Sequence, residues 1–184
     1  MTLIDPVTAL VVIDLQKGIV ALPTAQPIGE VVANAAALAD AFRRHGLPVV
    51  LVNVAGAAPG RTEVPRTLKG FPPGWTELIP ELNQQPRDHV VTKHTPGAFT
   101  GTGLEAHLKG LGVTQVVVAG VATSNGVEVT ARQAFELGFN VTLAVDAMTD
   151  MRAEAHAYCA TQVFPRIGET GTTQEIIDLL PRSA

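Results

Sequence analysis

Residues 114–138 read TQVVVAGVATSNGVEVTARQAFELG, and three structural signals follow one another within them. Val116, Val117, Val118 and Val121 make a β-branched apolar run of the kind a parallel strand buried on both faces requires. Thr123, Ser124 and Asn125 are turn and N-cap residue types, whose side chains compete for backbone hydrogen bonds. Helical periodicity then runs through Val127, Thr130, Ala131, Ala134 and Leu137, and Gly138 is the stop signal. A strand that turns into a helix aims backbone N–H groups at one point beyond the carboxyl end of a sheet. That is a natural place to stabilise negative charge. The small residue in this turn is Gly126, which brings no nucleophile.

Outward from this stretch, strand and helix signals alternate. Upstream, residues 89–93 (HVVTK) read as a short strand ending in Lys93, followed by a turn and a helix over 104–111 that Gly112 stops. Residues 47–54 (LPVVLVNV) read as a buried strand interrupted only by Asn53, and residues 8–15 (TALVVIDL) as a first strand carrying Asp14 at its end. Between them, Val31, Ala35, Leu38, Ala39 and Phe42 mark one face of a helix over 28–45, closed by Gly46. Residues 55–74 are rich in Gly and Pro and carry Arg61, Arg66 and Lys69; connections this long are usually functional or mobile. Residues 75–82 (WTELIPEL) predict a short helix that Pro80 limits. Downstream, the pattern predicts a strand over 140–147 with Asp146 near its end, a helix over 153–164, a short sixth strand over 165–168 and a last helix over 173–180. Such alternation means a largely parallel sheet with helices on both faces.

The chain has 184 residues, 46% hydrophobic and 16% charged, enough for one core and short for two, so a single domain over 1–184 is expected. A net charge of -4 without charged blocks argues against nucleic acid as a partner. One cysteine, Cys159, excludes an internal disulfide and a Cys-rich metal site. No leader pattern and no apolar run of about 18 residues is seen, so the expectation is a cytoplasmic protein without a membrane partner. A mean hydropathy of +0.25 with few charges points to apolar surface covered by a second copy, a homo-oligomer.

Gly101-Thr-Gly103-Leu-Glu-Ala106 fits the G-x-G-x-x-A form of a dinucleotide-binding turn. It does not directly follow the apolar strand, and no acidic residue ends the next strand to hold a ribose, so its glycines are assigned to a turn and no cofactor is expected. Ala122-Thr-Ser124-Asn-Gly126 resembles a degraded nucleophile elbow, with Asp146 and His156 following in α/β-hydrolase order. Ala122 replaces its first glycine, however, and His156 lies on a helical pattern. His45, His89, His94, His107 and His156 form neither an i, i+4 pair nor an H-x-H, so no metal site is expected. Cys159 sits in YCATQVF, where a thiol serves as a small hydrophobe. Asp14, Lys93 and the 123–126 turn remain. They fall at or beyond the carboxyl ends of three strands, which in an open parallel sheet face one crevice. The pair reads either as a buried salt bridge or as reacting groups. A buried salt bridge is often no better for stability than packed apolar residues, which tilts the reading toward chemistry.

With VVIDLQ at 11–16, VTKHTPGAFTGTGLEAHL at 91–108 and VVVAGVATSNGVEVTARQAFELGFNVTLAVDAMTD at 116–150, the chain resembles the isochorismatase-like hydrolases, whose members include nicotinamidases and carbamoylases. The resemblance implies a Rossmann-like three-layer α/β sandwich with about six parallel strands. In amidases of that family a cysteine nucleophile opens the helix after the fourth strand, an aspartate on strand one takes its proton, and a lysine on strand three assists. Carried over, these positions are Gly126, Asp14 and Lys93. The resemblance also implies a cis peptide at Val121–Ala122 and an oxyanion site from the N–H groups of Ala122 and Gly126. True isochorismatases are similar in having the glycine, and they hydrolyse a vinyl ether without a covalent enzyme intermediate. Asp14 would then protonate the vinyl carbon, and water would attack the oxocarbenium ion. Gln16, Asn53, Trp75, Phe99 and Asn125 are expected to contact a small-molecule substrate, and Arg61, Arg66 and Lys69 are candidates to meet a dicarboxylate. Two alternatives stand beside this reading: a catalytically silent member that binds a small molecule or assembles, and an amidase with a substitute nucleophile such as Ser124 or Thr123.

Overall fold

The structure, a computed structural model, describes residues 3–64 and 70–181. Its strands are β1 (Thr8–Ile13), β2 (Val49–Val54), β3 (His89–Lys93), β4 (Gln115–Val121), β5 (Asn140–Thr149) and β6 (Glu169–Gly171). All pair in parallel, in the order β3-β2-β1-β4-β5-β6. The helices are α1 (Lys17–Val20), α2 (Ile28–Arg44), α3 (Leu104–Gly110), α4 (Glu128–Glu136), α5 (Ala153–Tyr158) and α6 (Thr173–Leu179). Among the described residues, no helix is long and apolar enough to cross a membrane.

The side-chain alternation of the strands splits the core into two layers. Ala9, Val11 and Ile13 of β1 face Leu104, Leu108, Ala131 and Ala134 of α3 and α4. Leu10 and Val12 face Leu38, Ala39 and Phe42 of α2 and Ile176 of α6. The chain builds outward from β1 to β3 on one side, then returns to place β4 against the other side of β1. The strand order reverses between β1 and β4, and in open α/β sheets a ligand crevice forms at that reversal, outside the carboxyl ends.

Three sequence expectations change. The sixth strand is not at 165–168: Phe164–Arg166 form a 3-10 turn and β6 follows at Glu169–Gly171. Pro165 fixes its φ and lacks an N–H for a ladder. Gly168 packs so tightly that a Cβ there would stand 2.4 Å from the Val141 carbonyl oxygen. The helix expected over 75–82 shrinks to a 3-10 turn at Pro80–Leu82, because Leu78 bridges Gln16 and the Ile79 N–H donates to the Leu15 carbonyl. The helix expected over 153–164 is α5 followed by a wider π-type turn at Cys159–Val163.

Gly120 is where β4 can least accept a side chain. Its φ is 114°, and a Cβ would lie 2.0 Å from the Ile13 carbonyl oxygen. The β4–β5 register shifts at this point, between Val118 and Gly120. Gly120→Ala is expected to cost about 3 kcal/mol or more, since both the backbone conformation and the neighbouring strand resist it. Gly29→Ala, in the first turn of α2 with open space around it, should gain about 0.5 kcal/mol. Urea-unfolding midpoints of the two variants check both signs.

Candidate active site

The end of β1 sets the site. The Asp14 N–H still donates to the Val52 carbonyl at 2.9 Å, but its φ of 53° takes the chain out of extended form. Aspartate tolerates this left-handed conformation better than most residues. Lys93 ends β3, two strands away, and neighbouring strands lie roughly 4.8 Å apart. Only a long side chain spans that gap, and the Lys93 ammonium reaches 2.9 Å from Asp14 Oδ2. The ammonium also donates to the Pro96 carbonyl at 2.8 Å and, at 3.4 Å, to that of Thr95. Its hydrogens are thereby directed to three oxygens.

Both ions are withdrawn from water, Lys93 with 1% and Asp14 with 6% of its surface exposed. Burial pushes the Asp14 carboxyl up to about 6, against the charge and hydrogen bond of Lys93, which pull it down. Asp14 Oδ1 is buried and, among the described residues, has no hydrogen-bond partner. A carboxylate left with such an orphan oxygen favours taking up a proton.

The third side of the site is the turn after β4. The Val121–Ala122 peptide bond is cis. From Thr123 the chain winds as a wide turn into α4, with the Val127 N–H donating to the Ala122 carbonyl at 3.1 Å. A Cβ built on Gly126 would stand 3.3 Å from Asp14 Oδ2 and 3.0 Å from Ile13 Cγ2. Whatever side chain stood there would sit against the carboxyl. Asp14, Lys93, Ala122, Asn125 and Gly126 share the wall of a cavity of about 170 Å³ with Ile19, Val54 and Met151. That is space for about six water molecules. Among the described residues the cavity wall has no thiol, and its one hydroxyl, on Thr95, donates to the Gly97 carbonyl. Among the described residues no three His, Cys, Asp or Glu side chains cluster to hold a metal ion.

Residues 8–175 match the Isochorismatase domain. The chain belongs to the isochorismatase family of hydrolases. The uncharacterized isochorismatase family protein YwoC of Bacillus subtilis is 42% identical over 178 residues, covering 93% of each chain. The solved structure of an isochorismatase family protein from Burkholderia thailandensis superposes with a TM-score of 0.93 at 42% identity, covering 97% of each chain. Nicotinamidase 3 of Arabidopsis thaliana is 32% identical over 164 residues, 82% of this chain and 77% of that one.

In this isochorismatase-family chain, Asp14, Lys93 and Gly126 come together at the strand ends, with Val121, Ala122 and Asn125 beside them at the cavity wall. Gln16, Asn53, Trp75 and Phe99 stand outside that wall. The Gln16 amide is used up on backbone: it accepts from the Val54 N–H and donates to the Val54 and Trp75 carbonyls. Asn53 donates to the Thr76 carbonyl, Trp75 stacks on Phe71, and Phe99 stacks on Phe139 beside the core. Arg61 is exposed and outside the cavity wall, while Arg66 and Lys69 lie outside the described residues.

The hydrolase triad does not assemble. Asp146 caps α6 through the Thr173 N–H and hydroxyl, His156 meets the Thr123 hydroxyl, and Ser124 bonds Asp150. Asp150 was missed by residue-level reading, because an acid after a strand looks like any solvated turn residue. Ile19 was missed because it sits on the single helical turn of α1, too short for any periodicity, and Met151 because it follows β5 in a bend that no periodicity encodes. Cys159 is buried, and burial raises its thiol above the usual range, which suits a packing role.

The raised Asp14 carboxyl makes stability depend on pH in a definite direction. The folded chain binds this proton more tightly than the unfolded chain, so the stabilising contribution is complete below about pH 4 and is lost as pH rises through about 6. Relative to Asp14→Asn, which lacks the titration, the wild type should lose roughly 3 kcal/mol across that window. Denaturation of both proteins at a series of pH values measures the difference.

Proposed function

We propose that this chain hydrolyses a small molecule bearing an acid-labile C–O bond of the vinyl-ether type, with Asp14 as general acid and without a covalent enzyme intermediate. The observation that carries the reading is the bare position at Gly126: it lies buried in the cavity wall beside the Asp14 carboxyl, and brings no nucleophilic side chain there. In the reaction, protonated Asp14 gives its proton to the terminal carbon of the enol ether, leaving an oxocarbenium ion. Water adds to the oxygen-bearing carbon of that ion, and the proton it loses returns to Asp14. The hemiketal then breaks its C–O bond, releasing a ketone and an alcohol, with one water consumed.

Each neighbour has a part in this scheme. Lys93, with its hydrogens committed, is a fixed charge that restores the carboxylate's affinity for its place after the proton leaves. The backbone of the Ala122–Gly126 turn binds substrate oxygen, and Asn125 orients the substrate at the wall. A carboxyl near 6 is suited to acid catalysis just below neutrality. The substrate class is tested by mass spectrometry of purified protein with panels of enol ethers, amides and esters. Asp14→Asn should lower enol-ether turnover by about 10²-fold or more, and kcat/KM should fall about tenfold per pH unit above pH ~6. Activity indifferent to Asp14→Asn would sink the proposal.

The 32% identity to nicotinamidase 3 favours a second reading, an amidase scaffold lacking only its nucleophile. A thiol at position 126 would lie against Asp14, the group able to take its proton. Gly126→Cys should then release ammonia from a primary amide such as nicotinamide, whereas the wild type releases none. A silent Gly126→Cys protein with intact fold argues that the site is shaped for a different bond.

A further inference from the structure

Lys93 is held by a loop that has no regular structure of its own. Immediately after β3 the chain runs through residues 95–100 before α3 begins, and the Thr95 and Pro96 carbonyls in this loop accept from the ammonium. Something must fix those carbonyls, or the ammonium has only Asp14 to set its position. We propose that Thr130 and Gln133, on α4, are positioning residues: they clamp the 95–100 loop so that Lys93 is fixed against Asp14.

Thr130 is fully buried. Its hydroxyl donates to the Gly126 carbonyl at 2.6 Å and accepts from the Ala98 N–H at 3.1 Å. A helical threonine commonly donates back to the carbonyl four residues earlier. Here the same oxygen also takes a donor from another segment, so one hydroxyl ties the Gly126 turn to the Lys93 loop. Gln133 lies three residues on, along the same helix face. Its Oε1 accepts from the Phe99 N–H at 3.2 Å, and its Nε2 donates to the Thr100 hydroxyl at 2.7 Å. The loop lies so close that a Cβ on Gly97 would stand 2.1 Å from Gln133 Oε1. Ala98, Phe99 and Thr100 are thus pinned one after another to two side chains, next to the two carbonyls that hold the ammonium.

The clamp has a readable consequence. The charge acting on Asp14 is that of Lys93, from β3. The other elements at the cavity wall present Val54, Val121, Ala122, Asn125, Gly126 and Met151, all uncharged. Loosening the loop therefore loosens the one cation that, among the described residues, lowers the Asp14 carboxyl, and Asp14 should bind its proton more tightly. The catalytic meaning of the clamp rests on the function proposed above, but its effect on Asp14 does not.

The test is an NMR titration of the Asp14 carboxyl carbon in the full chain, without substrate. Thr130→Val removes both hydrogen bonds at nearly constant shape, and Thr130→Ser keeps both. The Asp14 midpoint is expected to rise by about half a pH unit or more in Thr130→Val and to return to the wild-type value in Thr130→Ser. Gln133→Met, at a half-buried site, should move it the same way by less. An unmoved midpoint in Thr130→Val, with only a lower melting temperature, would assign the threonine to stability alone and overturn the proposal. Should Thr130→Val fail to fold, Gln133→Met decides alone: a rise supports the clamp, and an unmoved midpoint overturns it. A chain that turns over nothing in the substrate panels would overturn the proposed function and leave this titration fully interpretable.

Discussion

A carboxylate and an ammonium, both nearly sealed from water, meet across three strands of the sheet. Withdrawing two ions from water costs several kcal/mol each, and their attraction offsets this only where the remaining hydrogen-bonding capacity is met. The two partners differ here. Lys93 has carbonyls for its other hydrogens, whereas Asp14 has one oxygen with no partner among the described residues. The unmet cost falls on the group that can relieve it by taking a proton. A simple structural ion pair would be expected to satisfy both members. The asymmetry sets this pair apart from a balanced salt bridge, and the raised Asp14 carboxyl is its direct expression.

The rest of the fold keeps that pair in place. β3 pairs β2 with Lys93 opposite Val54, and its residues alternate so that Val91 and Lys93 are buried while Val90 and Thr92 are exposed. A slip of one residue would turn Lys93 to the other face of the sheet. β1 lies between β2 and β4, so the residue that ends it faces the point where the strand order reverses. β4 then delivers Gly126 within reach of the same carboxyl. Three strands supply three parts, and the parallel register aligns their ends.

The parts legible in the sequence were those that a strand end fixes. Runs such as VVLVNV and VVVAGV announce strands buried on both faces, and in a parallel sheet their carboxyl ends must share a side. That places Asp14, Lys93 and Gly126 together before any contact is known. Side chains in the connections were not legible in this way. Gln16 and Asn53 look like ligand-binding amides, yet their hydrogen bonds go to the backbone around Val54 and to the Thr76 carbonyl, holding the loop around Trp75. Trp75 looks like a platform, but its ring lies where a Cβ on Gly18 would be. The sixth strand slid because Pro165 and Gly168 each impose a local geometry that a count of apolar residues does not register. Periodicity tells which face of an element is covered; it does not tell which of several backbone groups a polar side chain will choose.

The crevice also shows how one turn accommodates two buried acids whose carboxyls move in opposite directions. Asp150, just past β5, accepts from the Ser124 N–H and hydroxyl, both at 2.8 Å, and from the Arg152 N–H. Burial alone would raise its carboxyl, but these donors, with that of Met151, outweigh it and hold the group below the usual carboxylate range. Asp150 is thus a standing anion that fastens the start of the turn, where helix N–H groups favour negative charge. Asp14 meets the far end of the same turn with one cation and an unpartnered oxygen, and its carboxyl moves the other way. Two acids of the same chemistry move in opposite directions according to how many N–H groups the backbone spends on each. The turn between them, exposed only at Ser124 and Asn125, is fastened by the first and presents the buried Gly126 to the second.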